Sequence, residues 1–543
     1  MKGLRQQELK DKRQYYDMGV VFILTLNVIS VTARTISFEI INKNCFFNSS
    51  SVDVYLNDRV ILTTDKNICT IGNLQPDTIY KVFIKDSYTG KRSKEIEVKT
   101  QLETAVLNVK DFGAKGDGNT IDTQAIQAAI AACPKNGIVM IPEGVYLTTA
   151  IFLKSNMTFY LQKGSVLLGT KEREQYPILP GILESLDGMK KYDIGTWEGN
   201  PSNTFASLIN GINIENVNII GEGIIDGNAD FDTWWYKSKI KRIAWRPRLI
   251  FLNRCRDVVC EGLSIRNSPS WTIHPYKSKN LKFINLNIEN PKDSPNTDGI
   301  NPESCSNVLV TGVVFSVGDD CIAIKSGKRE SVDYRNLPSK DIFIRNCYMK
   351  YGHGAVVIGS EMSGGVESIS VENCLFENTD RGIRIKTRRG RGGTGIIDRL
   401  YVKNIRMTRV LTPFVINAFY NCDSDGHTEY VWSKEKLPVD EGTPSIKRIY
   451  IDDIKCIDAQ IAAGFIYGLP EQKIEEICMK NVYVHLAMDA KPGYPAMMDF
   501  IEPMARHGFY FNNVRDLTLT NVEVENASTE QVVTENIDKK EIL

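Results

Sequence analysis

Four short polar clusters interrupt an apolar rhythm between residues 296 and 386. They are Asn296-Thr-Asp298-Gly-Ile300, Gly318-Asp319-Asp320-Cys-Ile-Ala-Ile324-Lys325, Gly352-His353-Gly354 and Arg384-Ile-Lys386. Three acids held close together cannot all ionise normally, because like charges raise one another's pKa and favour one retained proton. A protonated carboxyl beside ionised ones suits the cleavage of a glycosidic bond: one acid protonates the leaving oxygen while a carboxylate activates water. His353 would tune or hold that acid. Arg384 and Lys386 would supply cations for a substrate carboxylate, the arginine with a bidentate grip. Taken singly, these are common turn, loop or strand-face sequences; their order and phase carry the signal.

The elements that must position them form a repeat. A strand of the form polar-apolar-x-apolar-x-polar-apolar recurs at Asp257, Asn280, Asn307, Asp341, Ser368, Arg399, Arg448, Glu476 and Asp516, with steps of 23 to 34 residues over the first six. Such irregular steps fit the coils of a parallel β-helix with variable loops: alternate side chains point inward and stack, and Asn or Asp at the bend caps the backbone. Counting from the first apolar residue of each strand places Asp319 and His353 at one phase, and Asp298 and Lys386 at another. All four clusters are therefore expected on one face, at a coil spacing of about 4.8 Å. The amphipathic stretch Asp122 to Ala132 has Ile126, Ala129 and Ile130 at helical spacing and is expected to cap the open end of the stack.

Ahead of the repeat, residues 27–101 read as a small β-sandwich of short alternating strands. The segment Leu74-Gln-Pro-Asp-Thr-Ile-Tyr80-Lys-Val82 resembles the fibronectin type III signature, in which a tyrosine anchors a corner between strands. The expected organisation is an N-terminal extension over 1–26, the sandwich over 27–101, the β-helix over 105–525 and a tail over 526–543. The fold class is all-β, a right-handed parallel β-helix with a small N-terminal β-sandwich.

The chain has 543 residues, 42% hydrophobic and 24% charged, with Lys+Arg equal to Asp+Glu at 66 each, so no global field favours nucleic acid or a membrane. Any preference for an anionic substrate must come from a local patch. The 12 cysteines form no paired CxxC set, and Cys255, Cys260, Cys305, Cys321, Cys347 and Cys374 sit in or beside strand-like runs, as buried thiols do. The apolar run Met18 to Ile29 has the length of a signal core, but Glu8, Asp11 and Asp17 spoil the basic region expected before it. The balance favours a cytoplasmic chain, with secretion as the alternative.

Asn296-Thr-Asp-Gly299, Gly318-Asp-Asp320, Gly352-His-Gly354 and Arg384-Ile-Lys386 together resemble the four-motif set of the polygalacturonases, glycoside hydrolase family 28. The resemblance implies inverting hydrolysis of α-1,4-galacturonosidic bonds in polygalacturonate or oligogalacturonides, by a monomer with no cofactor or metal. It implies Asp319 as general acid, Asp298 and Asp320 positioning and deprotonating water, and His353 supporting the acid. Asn296, Arg384 and Lys386 would bind galacturonate. The family also uses a later tyrosine, for which Tyr420 is a candidate.

The fibronectin-like module, the insert Tyr192 to Ala206 and the loop Gly359 to Gly365 look like the bacterial exo-acting branch, in which extra loops close one end of the groove. The basic run Arg381, Arg384, Lys386, Arg388, Arg389 and Arg391 would then grip a chain end. The alternatives are an endo-acting enzyme, a calcium-dependent β-helical pectate lyase holding the ion on Asp298, Asp319 and Asp320, and a non-catalytic carbohydrate-binding β-helix.

Overall fold

The computed structural model describes residues 24–331 and 337–543, and the chain divides into two compact units, up to Glu103 and from Thr104 onward. In the first unit, Thr25–Val31, Ile36–Ile41 and Ile68–Ile71 form a three-stranded antiparallel sheet. Arg59–Lys66, Phe47–Leu56, Ile79–Asp86 and Ile96–Lys99 form a four-stranded one, in that order. Strand alternation sends Ile36, Phe38, Ile40, Val52, Val54, Val82 and Ile84 into one core. The hydroxyl of Tyr80 accepts from the Gln75 amide at 2.8 Å, across the turn that precedes its strand. Of the signal-like run, positions 18–23 lie outside the described residues; from Thr25 the chain is strand. No helix among the described residues is long and apolar enough to cross a membrane.

The second unit is the parallel β-helix. Val258, Leu281, Val308, Ile342, Ile369, Leu400, Ile449, Ile477 and Leu517, the first apolar residue of each repeat, are register partners on successive coils and form one buried column. The bend before the first six takes a left-handed backbone: Asp257, Asn280, Asn307, Asp341, Ser368 and Arg399 all have φ between 54° and 57°. Asn and Asp tolerate that conformation best among non-glycine residues. Their side chains also link the coils, Asn307 donating to Asn280 at 3.0 Å and Asn280 to Asp257 at 2.8 Å. Cys260, Cys305, Cys321, Cys347 and Cys456 are buried thiols inside the stack.

The helix Thr123–Ala132 packs Ile126, Ala129 and Ile130 onto the first coils. At the other end the stack runs past the boundary expected at 525. Val532–Glu535 pairs with His507–Asn512, and Lys539–Ile542 with Val514–Glu525. The 526–543 tail is thus a further partial coil; its short, polar strands lack the repeat pattern that marked the others.

A second parallel face carries the chemistry. Ile151–Phe152, Ile209–Ile212, Ile250–Asn253 and Ile273–Tyr276 make one ladder, and seven strands from Ile322–Ile324 to Val532–Glu535 make another. Between them lies the coil containing Asn296 to Glu303, joined only through single bridges at Ile300 and Glu303. The first acidic cluster sits at this seam.

Candidate active site

Register brings the acids together. The Ile300–Ile322 bridge puts Asp298, two residues earlier, beside Asp320 on the next coil, and the Gly299 amide donates to the Asp320 carbonyl at 3.0 Å. Pairing of Ile322 with Val356 carries Asp319 onto His353, whose amide donates to the Asp319 carbonyl at 3.1 Å. The expected match of Asp298 with Lys386 does not hold. Lys386 lies in the column of Gly359 and Lys325. Counting along the chain failed because Asp298 stands nine residues past Glu289, whereas Asp320 stands four past Ser316, the register partner of Glu289. The longer turn shifted the count, yet the long Lys386 side chain still reaches the cluster.

One carboxylate oxygen from each of Asp298, Asp319 and Asp320 lies within 4.8 Å of the others. Lys386 Nζ is 2.7 Å from Asp320 Oδ2, and Arg384 approaches Asp320 Oδ1 at 3.7 Å. Asn301 donates to Asp298 Oδ2 at 3.0 Å, and Lys325 Nζ stands 3.9 Å from the same oxygen. His353 Nδ1 is 3.3 Å from Asp319 Oδ1. Asp298 Oδ1 and Asp320 Oδ1 are buried and accept no hydrogen bond from the described residues. Three acids at this spacing also suit a divalent cation, but here lysine, arginine and histidine already supply the positive charge a calcium ion would bring. The glycines of the third cluster are required by close approach: a Cβ at Gly354 would meet Asp320 Oδ1 at 3.1 Å and Val357 at 2.3 Å, and one at Gly352 would meet Cys321 Sγ at 2.7 Å.

These neighbours divide the protons. Asp298 is pushed up to about 8, by burial first and then by the Asp319 charge, against the pull of Lys325. Burial alone would raise Asp319 too, but the His353 hydrogen bond and charge, with Lys386 and Lys325, outweigh it and hold it at about 2. His353 is raised to about 9, mainly by its hydrogen bond to Asp319. These opposite directions favour a retained proton on Asp298 over Asp319 in the free site, with His353 also favouring its protonated form. The reason is that Asp319 has a cationic partner in contact, whereas the lysine facing Asp298 stands off at 3.9 Å.

A pH dependence follows. A histidine raised above its ordinary value of about 6.5 contributes stability that is complete below that value and lost as pH rises through its folded value, about 9. Asp298, raised above its ordinary acid range, also loses stability with rising pH, up to about 8. Melting temperature is expected to fall between pH 7 and 9. By NMR, His353 should titrate near 9 in the native protein and lower by more than a unit in Asp319→Asn. An unchanged His353 titration in that variant would mean that Asp319 does not hold its proton.

Several residues of the site carry no motif. Arg246, buried, donates to Asn296 Oδ1 at 2.6 Å and to the carbonyls of Pro269 and Pro295. Lys325 Nζ lies 3.4 Å from the Trp271 ring centroid and 3.5 Å from Glu361. Tyr420 stands 5.9 Å from the Arg384 guanidinium and 5.7 Å from Lys386 Nζ, measured from its ring. Lys325 closes the second polar cluster and Tyr420 was the candidate for the family's tyrosine, whereas Arg246 and Trp271 carried no signal in the sequence.

The basic run does not act as one patch. Arg384 and Lys386 face the acids, but Arg388 pairs with Asp423 and Asp425, Arg391 with Asp423, and Arg389 with Glu471. Arg381 donates to the carbonyls of Pro495 and Tyr494. Four of the six thus brace surrounding loops. They are committed because acidic partners on distant segments, invisible in the local sequence, fold over them.

One side of the site is walled. The pair Ile178–Leu179 with Thr204–Phe205 closes an insert of two hairpins, Ile182–Glu184 with Lys191–Asp193 and then Thr196–Trp197 with Asn200–Pro201, the second with Gly199 at its tip. Trp197 stacks on Trp245 at 4.5 Å, with Arg246 and Arg248 over its ring. Ser331 donates to the Gly199 carbonyl at 2.7 Å. The Gly359 to Gly365 loop meets the hairpin there through Glu361.

Comparison with known proteins gives the family of the chain that carries this cluster. Residues 158–484 match the model of glycosyl hydrolases family 28, and 106–163 match that of rhamnogalacturonase A/epimerase, pectate lyase-like. A probable polygalacturonase of Vitis vinifera is 33% identical over 390 residues, 70% of this chain and 74% of that protein. An exo-poly-alpha-D-galacturonosidase of Dickeya chrysanthemi is 28% identical over 462 residues, 76% and 72% of the two chains. Among solved structures, the family 28 exopolygalacturonase of Yersinia enterocolitica superposes with a TM-score of 0.66 at 21% identity, over 96% of this chain and 98% of that one. The Thermotoga maritima exopolygalacturonase gives 0.62 at 26% identity, over 81% and 93%. With the family model spanning more than half the sequence and covering all four clusters, the chain belongs to glycosyl hydrolase family 28.

Proposed function

We propose that the protein hydrolyses α-1,4-galacturonosidic bonds of polygalacturonate or oligogalacturonides, acting from a chain end. The observation that carries this reading is the set of three carboxylates within 4.8 Å, faced by cations suited to a uronate. Asp319 protonates the leaving oxygen. Its proton comes from inside the His353 pair: transfer from Nδ1 across 3.3 Å leaves a neutral imidazole and an acid-form Asp319. Asp298 Oδ1 and Asp320 Oδ1, on adjacent coils and without a hydrogen bond from the described residues, are the acceptors that orient the attacking water, whose proton passes to Asp320, the carboxylate paired with Lys386. Arg384, Lys386 and the Asn296 amide hold galacturonate, with Tyr420 beside them. The wall built by the hairpin and the Glu361 loop supports the exo mode, as do the names of the Dickeya and Thermotoga proteins. The N-terminal unit, with its three-and-four-stranded sheets and Tyr80 corner, reads as a fibronectin type III-like module.

Polygalacturonate digested in EDTA tests the reaction. Reducing ends should appear at an undiminished rate with no ultraviolet-absorbing unsaturated product; EDTA-sensitive, absorbing product would mean elimination instead. The anomer formed first is a separate outcome. Inverting pairs usually stand about 6.5–9.5 Å apart, and these acids are closer, so water among three carboxylates replaces water facing one. Proton NMR should show the β-anomer first, and initial accumulation of the α-anomer would rule out this placement.

A further inference from the structure

We infer that the closed end of the groove holds a single galacturonate residue, so that each cut releases the monosaccharide rather than a dimer. The inference rests on the polygalacturonate reading above and adds the length of the product.

The argument is one of distance. Glu361 Oε1 is 3.5 Å from Lys325 Nζ, and Lys325 Nζ is 3.9 Å from Asp298 Oδ2. Two legs of that size, even laid end to end, span little more than one pyranose ring. Beyond Glu361 the hairpin tip packs directly against it: a Cβ built on Gly199 would stand 2.9 Å from Glu361 Cγ and 3.0 Å from Lys328 Cγ. No room remains there for a carbon atom, still less for a second sugar. The Ser331 hydroxyl, bonded to the Gly199 carbonyl, fixes the hairpin tip in that position.

The chemistry of this recess suits one terminal uronate. Lys325 has no oxygen closer than the 3.5 Å of Glu361 among its ion pairs, so its ammonium retains donors for a substrate carboxylate. Glu198, beside Gly199 at the hairpin tip, keeps an exposed side chain although protein surrounds it on most sides, as befits a group lining a recess. Glu198 and Glu361 offer acceptors for the hydroxyls that only a chain terminus presents. A polymer continuing past this point would meet two carboxylates with a third of its own.

Saturated oligogalacturonides of defined length, from trimer to hexamer, followed by chromatography over a time course, decide the matter. Galacturonic acid and the chain one unit shorter should be the sole early products at every length. Digalacturonate as the first small product would overturn the one-sugar recess while leaving the exo reading in place. Internal fragments of mixed length would overturn the exo reading itself, and absence of cleavage the hydrolase reading. Replacing residues 196–201 by a Gly-Gly link should let digalacturonate appear among the early products. A folded variant that still releases only the monosaccharide would show that this hairpin is not the wall, and if the variant fails to fold the native product series decides alone.

Discussion

Asp319→Asn is expected to lower kcat by about 10²–10⁴-fold, the contribution of a positioned general acid, while KM changes little and the melting temperature at pH 7 moves far less than activity. The asparagine keeps the shape and a hydrogen-bonding oxygen for His353 but cannot take up and deliver a proton. Its neighbours are not equivalent substitutes: Asp298 faces Asn301 and a distant Lys325, and Asp320 is tied to Lys386 at 2.7 Å. Activity of Asp319→Asn within threefold of the native enzyme would remove Asp319 from the acid role. A non-catalytic carbohydrate-binding β-helix would show no turnover in the native protein and oligogalacturonide binding unchanged by Asp319→Asn, so the same pair of proteins addresses the binding-protein alternative.

The largest effect on stability is expected away from the acids, at Arg389→Met. Arg389 is 1% exposed, as is its partner Glu471, and the two meet through Nε–Oε1 at 2.6 Å and Nη2–Oε2 at 2.9 Å. The same guanidinium donates to the carbonyls of Tyr430, Ser433 and Glu435. Removing one member of such a pair leaves a buried charge unmatched and costs about 3–5 kcal/mol. Arg389→Met combined with Glu471→Leu should recover part of the loss, because both charges then leave together, although the three carbonyls stay unserved. Thermal and urea unfolding measure both. An Arg389→Met protein as stable as the native one, or a double variant less stable than the single, would contradict this account.

How far these features were legible in the sequence depended on whether the signal was periodic. The column from Val258 to Leu517 was readable because every coil must bury the same face, so the pattern repeats nine times. The four clusters were readable because they break that pattern. Residues in the turns were less accessible, since turn length varies: the five-residue difference before Asp298 shifted Lys386 out of the column assigned to it. The location of the proton was not legible at all, because it depends on whether a cation sits at 3.3 Å or 3.9 Å, a matter of side-chain reach. Arg246 and Glu361 were hidden for another reason: each acts across coils, on Asn296 and on the hairpin tip, and nothing local distinguishes such residues from ordinary loop polar groups. The final strands, Val532–Glu535 and Lys539–Ile542, escaped notice because they are only four residues long and lack the repeat pattern.

The sealed hairpin also fixes the order in which molecules must leave. In the one-sugar recess inferred above, a sugar cut off behind the aspartates has the remaining polymer on one side and the hairpin tip, packed against Glu361 at Gly199, on the other. The polymer must withdraw before the small product can depart, so the enzyme lets go of its chain at every turnover. Degradation then shortens the whole population of chains in step, one unit at a time, instead of consuming individual molecules to completion.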